Sequence, residues 1–319
     1  MTSQHEQFVP AACDRDIVQI SIVVPAYNMG SLLADTLTSV FAQTDPAEEV
    51  IVVNNGSTDN TDEIVAPFLD RIHYHTIMPN AGVSRARNAG ADRATGNWLL
   101  FLDGDDRLFP GALGALRDRA AQGGAGLVYG RVEQLDTTTE QRRERTYPGL
   151  ELDPPGPARK NFWRSLIPSP GAAIIHRRVH DIVGGFTKPW QPTEDRDYWI
   201  KCGMTTRFAF CDAMVLEKLY RPSSMRVFSD QAVFWGMKVQ FEFLEWCRDR
   251  GLATDFLETT DAAIVAHALR RAVDNEDAPV IRQILDYAGT RNLTTPLWPR
   301  LKSWWILAQS RRHESEATR

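Results

Sequence analysis

Residues 18–24 read VQISIVV, and the fold follows from how that stretch is taken. Five of its seven residues are β-branched and it is apolar on both faces, the pattern of a strand buried from two sides. Pro25 is expected to end it. Downstream, Ser31 can cap a helix in which Leu33, Leu37, Val40 and Phe41 fall at helical spacing. Residues 49–53, EVIVV, repeat the buried-strand pattern. Asn54-Asn55-Gly56-Ser57 is turn chemistry, and Ser57 or Thr58 can cap a helix reaching about Leu69. Residues 72–76 form a third, weaker strand, and the loop Asn80-Ala81-Gly82 leads into a helix over 83–94. Residues 98–102, WLLFL, are a fourth strand. Four alternations of strand and helix with short connections predict an α/β fold with a mostly parallel central sheet. Ligands of such sheets bind at the carboxyl ends of the strands.

The remaining chain is less regular. A strand is expected over 127–134, a polar, proline-rich loop over 136–160, a short strand over 172–176, and a short helix and turn over 181–185. From about residue 229 the pattern turns helical, over 230–250, 258–274 and 277–289. A last segment, 297–309, sets Leu297, Leu301, Trp304, Trp305 and Ala308 on one face. The expected organisation is a loose tail (1–17), an α/β domain (18–228, with halves 18–106 and 107–228) and a small C-terminal helical region (229–319).

With 319 residues, 43% hydrophobic and 24% charged, the chain can bury a large core. A net charge of −5 speaks against a nucleic-acid binder. Neither a signal peptide nor an apolar run long enough for a membrane span is expected. Cys13, Cys202, Cys211 and Cys247 are scattered, which favours a reducing, cytoplasmic setting over disulfides or structural zinc. His73 with His75 and His176 with His180 lack zinc-site spacing and are expected to be structural.

The chemistry concentrates in the loops after the strands. Asp103-Gly104-Asp105-Asp106 crowds three carboxylates into one turn. Their repulsion favours a hard divalent cation, although a solvated acidic turn has the same sequence. In Pro25-Ala26-Tyr27-Asn28, Tyr27 can stack on a base or simply cover the core. Asn54 and Asn55 can face a base or ribose, or serve only the turn. Arg85, Arg87 and Asn88 open a helix where an arginine can meet phosphate or a surface partner. Far along the chain, Glu194 and Asp195 begin a helix, as a general base would or as a cap would. A dinucleotide-binding oxidoreductase would need GxGxxG after the first strand, where this chain has PAYNMG. A nucleotidyltransferase would be expected to carry a glycine-rich loop with a basic residue there.

Taken in order, SIVVPAYN, VIVVNNGSTDNT, NAGVSRARNAG and GNWLLFLDGDD resemble the nucleotide-binding half of glycosyltransferase family 2. GAAIIHRRVHDIVGGF and TEDRDYWIKC resemble its acceptor half, and the likeness covers roughly residues 19–227. The resemblance implies a GT-A fold, a nucleotide-binding α/β sandwich, and transfer with inversion. The donor is a nucleoside-diphosphate sugar, expected to be UDP-linked, and the acceptor a glycan or glycolipid of cell-envelope or extracellular polysaccharide synthesis. It also implies nucleotide contacts from Pro25, Tyr27, Asn28, Asn55, Arg87, Asp103 and Asp105. A divalent metal, Mn²⁺ or Mg²⁺, would sit on Asp105 and Asp103 with Asp106 assisting. Asp195 would be the catalytic base and Glu194 its acceptor-side neighbour. The alternative is a non-catalytic nucleotide-sugar or glycan-binding module on the same fold.

Two departures bear on this. Asn55 stands where the family usually has an aspartate against the base. Tyr220-Arg221-Pro222-Ser223-Ser224 lacks the histidine that often follows the family's arginine, so either water or Arg221 serves the diphosphate. From Asn292 onward Arg300, Lys302, Arg311, Arg312 and Arg319 accompany Trp298, Trp304 and Trp305. Such a segment can rest peripherally on an anionic membrane, here the inner face of the cell membrane, or pack on protein.

Overall fold

A computed structural model describes residues 17–145, 151–187, 193–221 and 231–295, together with Ser303 and Ile306. The chain divides into two compact units, the first ending at Arg221.

In the first unit β1 (Ile20–Ala26), β2 (Glu49–Asn54), β3 (His73–Thr76) and β4 (Trp98–Phe101) alternate with α1 (Leu32–Phe41), α2 (Thr61–Val65) and α3 (Val83–Ala91). There follow β5 (Arg107–Leu108), α4 (Ala112–Ala121), β6 (Leu127–Asp136), β7 (Arg142–Glu144), α5 (Gly156–Trp163), β8 (Ala173–His176), α6 (Arg177–Val183), α7 (Glu194–Thr205) and β9 (Phe208–Tyr220). One sheet runs β3-β2-β1-β4-β8-β6-β9-β5, with β7 on β6. Its first half is parallel, β1 pairing with both β2 and β4. The second half is mixed: β8 is antiparallel to β4 and to β6, while β9 runs parallel to β6.

Every residue of β1 and β4 is buried, as strands covered by helices on both faces require. β3 is the edge strand, and its exposed His73 and Thr76 explain its weak pattern. The packing of α3 on β1 depends on Gly90, since a Cβ there would lie 2.2 Å from Val23 Cγ1. Because β2 and β4 flank β1, the chain reverses its direction of progress between β1 and β4. At such a switch point the connecting loops part and leave a crevice.

Pro25 does not end β1, which continues to Ala26 in register with Asn54. The Val23 carbonyl accepts from Leu102 N, so Val23 and Pro25 both face β4. Pairing with β4 stops at Val23, and the missing proline N–H falls beyond the ladder. The helix expected from Ser57 or Thr58 begins only at Thr61 and gives way at Ala66–Phe68 to a 3₁₀ turn containing Pro67. Ser57 and Thr58 hold Asn28 instead: Asn28 N donates to Ser57 Oγ (3.1 Å), and Thr58 N donates to Asn28 Oδ1 (2.8 Å). Within the stretch expected to be loop, β7 and the start of α5 are regular. β5, α4 and the 13-residue β9 had no counterpart in the sequence reading.

His180 is structural. It is buried among Phe101, Phe186 and Tyr198, with Nδ1 2.8 Å from the Tyr198 hydroxyl.

The second unit contains α8 (Ala232–Asp249), α9 (Asp261–Asp274) and α10 (Ala278–Thr290). Thr260 caps α9 by accepting from Ala263 N, and Asp277 caps α10 by accepting from Val280 N. Among the described residues no helix is long and apolar enough to cross a membrane. Trp298, Trp304, Trp305 and the basic residues around them lie outside the described residues.

Burial, with the Arg177 charge adding to it, lowers the His180 pKa to about 4. An unfolded histidine takes its proton near pH 6.5. The neutral buried ring therefore contributes stability that is full above about pH 6.5 and is lost as pH falls towards 4. Urea unfolding at pH 7.5 and 4.5 is expected to show His180→Gln losing about 2 kcal/mol less than wild type over that interval.

Candidate active site

A cavity of about 290 Å³ opens at the carboxyl ends of β1, β2 and β4. Pro25, Tyr27, Asn55, Arg87, Asp103, Asp105 and Glu194 all line it. Tyr27 is 39% exposed, so its ring covers no core and is available to a flat ligand. Asn28 is not among the lining residues, and its amide is engaged with Thr58. Asn55 is buried, donating to Asn80 Oδ1 (2.9 Å) and accepting from Ala81 N (3.2 Å). Gly56, at φ +77°, permits this approach, because a Cβ there would meet Asn80 N at 2.8 Å. Asn54 faces away from the cavity, donating to Asp62 and to the Tyr74 hydroxyl.

Arg87, on α3, is almost fully enclosed, with a side chain 3% exposed. Nη2 donates to Asp103 Oδ1 (2.7 Å) and Nη1 to Glu194 Oε1 (2.9 Å), and the guanidinium lies 5.0 Å from the Phe186 ring centre. It thereby joins the end of β4 to the start of α7. α7 is held further by Arg196, which donates to the carbonyls of Asn161 (2.9 Å) and Phe162 on α5. The buried Asp197–Lys201 pair (2.6 Å) fastens the helix to Thr187. Asp195 is held in this fixed first turn, its Oδ1 accepting from Arg196 N, and it does not itself line the cavity.

The three aspartates of the turn have separate fates. Asp103 meets Arg87, and Asp105 meets Arg221. Asp106 turns into the core, where its carboxylate accepts from Ser169 Oγ (3.0 Å) and Leu219 N (3.2 Å). It anchors the turn to β9 and does not line the cavity, so the assisting metal role expected of it has no geometric support. Burial pushes the Asp106 carboxyl up to about 7, with Lys218 opposing. Burial also raises Asp105, aided by Asp103 and opposed by Arg221 and Lys218. Glu194 is raised by burial against the pull of Arg87, and Asp195 by burial against Lys218 and Arg87.

Residues 21–184 match the family model described as glycosyl transferase family 2, a little over half of the chain. The chain belongs to glycosyltransferase family 2. Among curated relatives it is similar to the Mycobacterium tuberculosis protein MT1568, 31% identical over 60% of this chain and 63% of that one. It also resembles the Escherichia coli glycosyltransferase YibD, 37% identical over 29% of this chain and 27% of that one. A PGL/p-HBAD biosynthesis glycosyltransferase of Mycobacterium bovis is 32% identical over 57% and 68% of the two chains. The match to the first two of these thus spans less than two thirds of their length. Residues 1–349 of Staphylococcus aureus TarS, crystallised with UDP-GlcNAc, share the fold at a TM-score of 0.56 and 16% identity, over 92% of each chain. The sheet and its crevice are those of the GT-A fold.

Two contributors to this family 2 site were not found in the sequence. Asn80 locks Asn55, and Lys218 on β9 faces the acidic turn. Lys218 left a signal, since a charged pair, Glu217-Lys218, interrupts an otherwise apolar run. The strand carrying it had simply not been read as one. Arg221, weighed as a diphosphate ligand, is engaged by Asp105.

Removing Arg87 leaves two carboxylates facing each other's charge in a largely buried place. Arg87→Ala is expected to cost about 3 kcal/mol in urea unfolding at neutral pH. Arg87→Lys is expected to recover less than half of it, because one ammonium cannot reproduce the fork that reaches both partners.

Proposed function

We propose that this chain is an inverting glycosyltransferase that moves a sugar from a uridine-diphosphate donor to an acceptor hydroxyl in cell-envelope glycan or glycolipid synthesis. One observation carries the reading: an exposed aromatic ring, an acidic turn and Glu194, the neighbour of Asp195 in the first turn of α7, are joined around one cavity through Arg87. Family membership supports the reaction class. The UDP-GlcNAc bound by TarS supports the donor class, and relatives named for PGL/p-HBAD, teichuronic acid and succinoglycan biosynthesis support the acceptor class.

The chemistry has two requirements. The acceptor oxygen must lose a proton as it attacks the anomeric carbon, and the bond from that carbon to the diphosphate oxygen must break. Asp195 takes the proton, becoming the neutral acid, while the diphosphate leaves with the bonding electron pair. Attack from the face opposite the leaving group inverts the centre. Burial lifts Asp195 above the ordinary carboxylate range, which suits a base working near neutral pH. Tyr27 stacks on the base and Pro25 flanks it. Arg87 holds Asp103 and Glu194 so that donor and acceptor sides keep their spacing.

A divalent cation fits the acidic turn. Asp103 and Asp105 line the cavity, and each has one carboxylate oxygen in an ion pair and one without a partner among the described residues. Among the described residues no cluster of three acidic, histidine or cysteine ligands exists to cage a metal. Two carboxylates completed by diphosphate oxygens and water is the arrangement Mg²⁺ and Mn²⁺ accept. When bound there, such an ion supplies charge stabilisation to the leaving diphosphate.

Asp195→Asn is expected to lose roughly 10²–10⁴-fold in turnover while binding UDP as wild type does by calorimetry. Parallel loss of UDP affinity would make Asp195 a binding residue. In a thermal-shift screen of nucleoside diphosphates, UDP with Mn²⁺ is expected to raise the melting temperature most, by mass action on the folded state. UDP-sugar binding with neither transfer nor hydrolysis would identify a binding module instead.

A further inference from the structure

The last residues of β9 pass directly beneath the acidic turn. Leu219 N donates to Asp106, Arg221 pairs with Asp105, and Glu217 is occupied by Arg107 and Arg142. Between these residues Lys218 is half-buried, and its Nζ reaches the Pro168 carbonyl at 3.4 Å. Among the described residues it forms no direct ion pair with a carboxylate, although Asp106, Asp103, Asp195 and Asp105 all act on its charge. The other cations of the site are each claimed by named acids: Arg87 by Asp103 and Glu194, Arg221 by Asp105. Lys218, like Arg87, acts on both the acidic turn and the candidate base, but among the described residues it is not bound to any one acid.

We propose that Lys218 is a positioning residue of this reaction, the permanent counter-ion around which the acidic turn and Asp195 are arranged, and that its charge sets how strongly the site draws a divalent cation. The inference rests on the glycosyltransferase reading. Asp103, Asp105, Asp106, Glu194 and Asp195 carry five negative charges when ionised, against three positive on Arg87, Lys218 and Arg221, so the cluster has a balance of −2. One divalent cation neutralises that balance. With all five acids still ionised, loss of Lys218 makes it −3, which strengthens the pull on a cation before any nucleotide arrives. The same change removes one of the two positive charges, with Arg87, that offset the repulsion of Asp103 on Asp195, so the base loses part of what fixes its position. A lysine that merely filled space would affect neither quantity in this way.

The test uses the full chain and Mn²⁺ alone, followed by electron paramagnetic resonance, with transfer from a UDP-sugar measured separately. Lys218→Met keeps the volume and removes the charge. It is expected to bind Mn²⁺ at least about tenfold more tightly in the absence of nucleotide. Its kcat is expected to fall at least about tenfold, with the donor KM in saturating Mn²⁺ changing less. Adding Asp106→Asn restores the charge balance and is expected to return Mn²⁺ affinity to near the wild-type value. Should Lys218→Met not give a folded chain by circular dichroism, Lys218→Gln, whose amide can still donate, carries the same expectations. Unchanged Mn²⁺ affinity in a folded variant overturns the proposal, as does tightened affinity that persists with Asp106→Asn. A wild-type chain that binds UDP and transfers sugar while the variants behave like it overturns the role of Lys218 alone. A wild-type chain that binds neither UDP nor Mn²⁺ overturns the functional reading as well.

Discussion

The site depends on one buried guanidinium. Arg87 belongs to α3, and its two terminal nitrogens reach Asp103 after β4 and Glu194 at the start of α7, residues that are 91 positions apart in the sequence. Hydrophobic packing of the sheet can bring β4 and α7 to the same end of the molecule, but it cannot fix their side chains to one another. A planar fork with two acids on it can, because the guanidinium is almost wholly enclosed and both hydrogen bonds must be satisfied at once. The cost of burying Arg87 is met only while both carboxylates are present, which ties the acidic turn and the helix of Asp195 into one unit. Among the described residues the Nε of Arg87 has no hydrogen-bond partner, so its burial is not fully compensated even then.

That constraint determines how charge is distributed. Pairing Asp103 and Asp105 with arginines removes part of their repulsion and leaves one oxygen of each towards the cavity. Asp106 is excluded from the cavity by its bonds to Ser169 and Leu219, and serves to hold the turn on β9. Asp105, Asp106, Glu194 and Asp195 are nevertheless all raised above the ordinary carboxylate range, with burial the largest cause in each. Acids in that condition are stabilised in their charged form by any further positive charge brought beside them.

The parallel half of the fold was legible because its strands are buried on both faces and its helices keep the apolar period. Residues 18–24 and 98–102 each read correctly for that reason, with errors confined to their ends. Pro25 was misread because the rule against proline in strands concerns a lost donor, and whether a donor is needed depends on where the neighbouring strand stops. Ser57 and Thr58 look like helix caps, yet their hydrogen bonds go to another loop, a choice no local pattern reveals. β9 was missed because its burial alternates irregularly and charged residues interrupt its apolar run. The acids and Tyr27 were visible as loop residues at strand ends, whereas Lys218 became visible only with its strand.

The asparagine at position 55 shows how a departure from a family pattern is absorbed. Its Nδ2 donates to Asn80 Oδ1, which also accepts from Gly82 N (3.0 Å), while its own Oδ1 accepts from Ala81 N. Two donors on Asn80 Oδ1 fix that amide's orientation and leave its nitrogen without a protein partner among the described residues. An aspartate at 55 would set acceptor against acceptor at Asn80 and force that amide to turn over. Asn55 and Asn80 are therefore a matched pair: the first closes the loop after β2 onto the loop before α3, and the second presents a donor at the cavity wall. At this edge the cavity is therefore offered a neutral amide donor from Asn80, while the hydrogen bonds of Asn55 hold the two loops together.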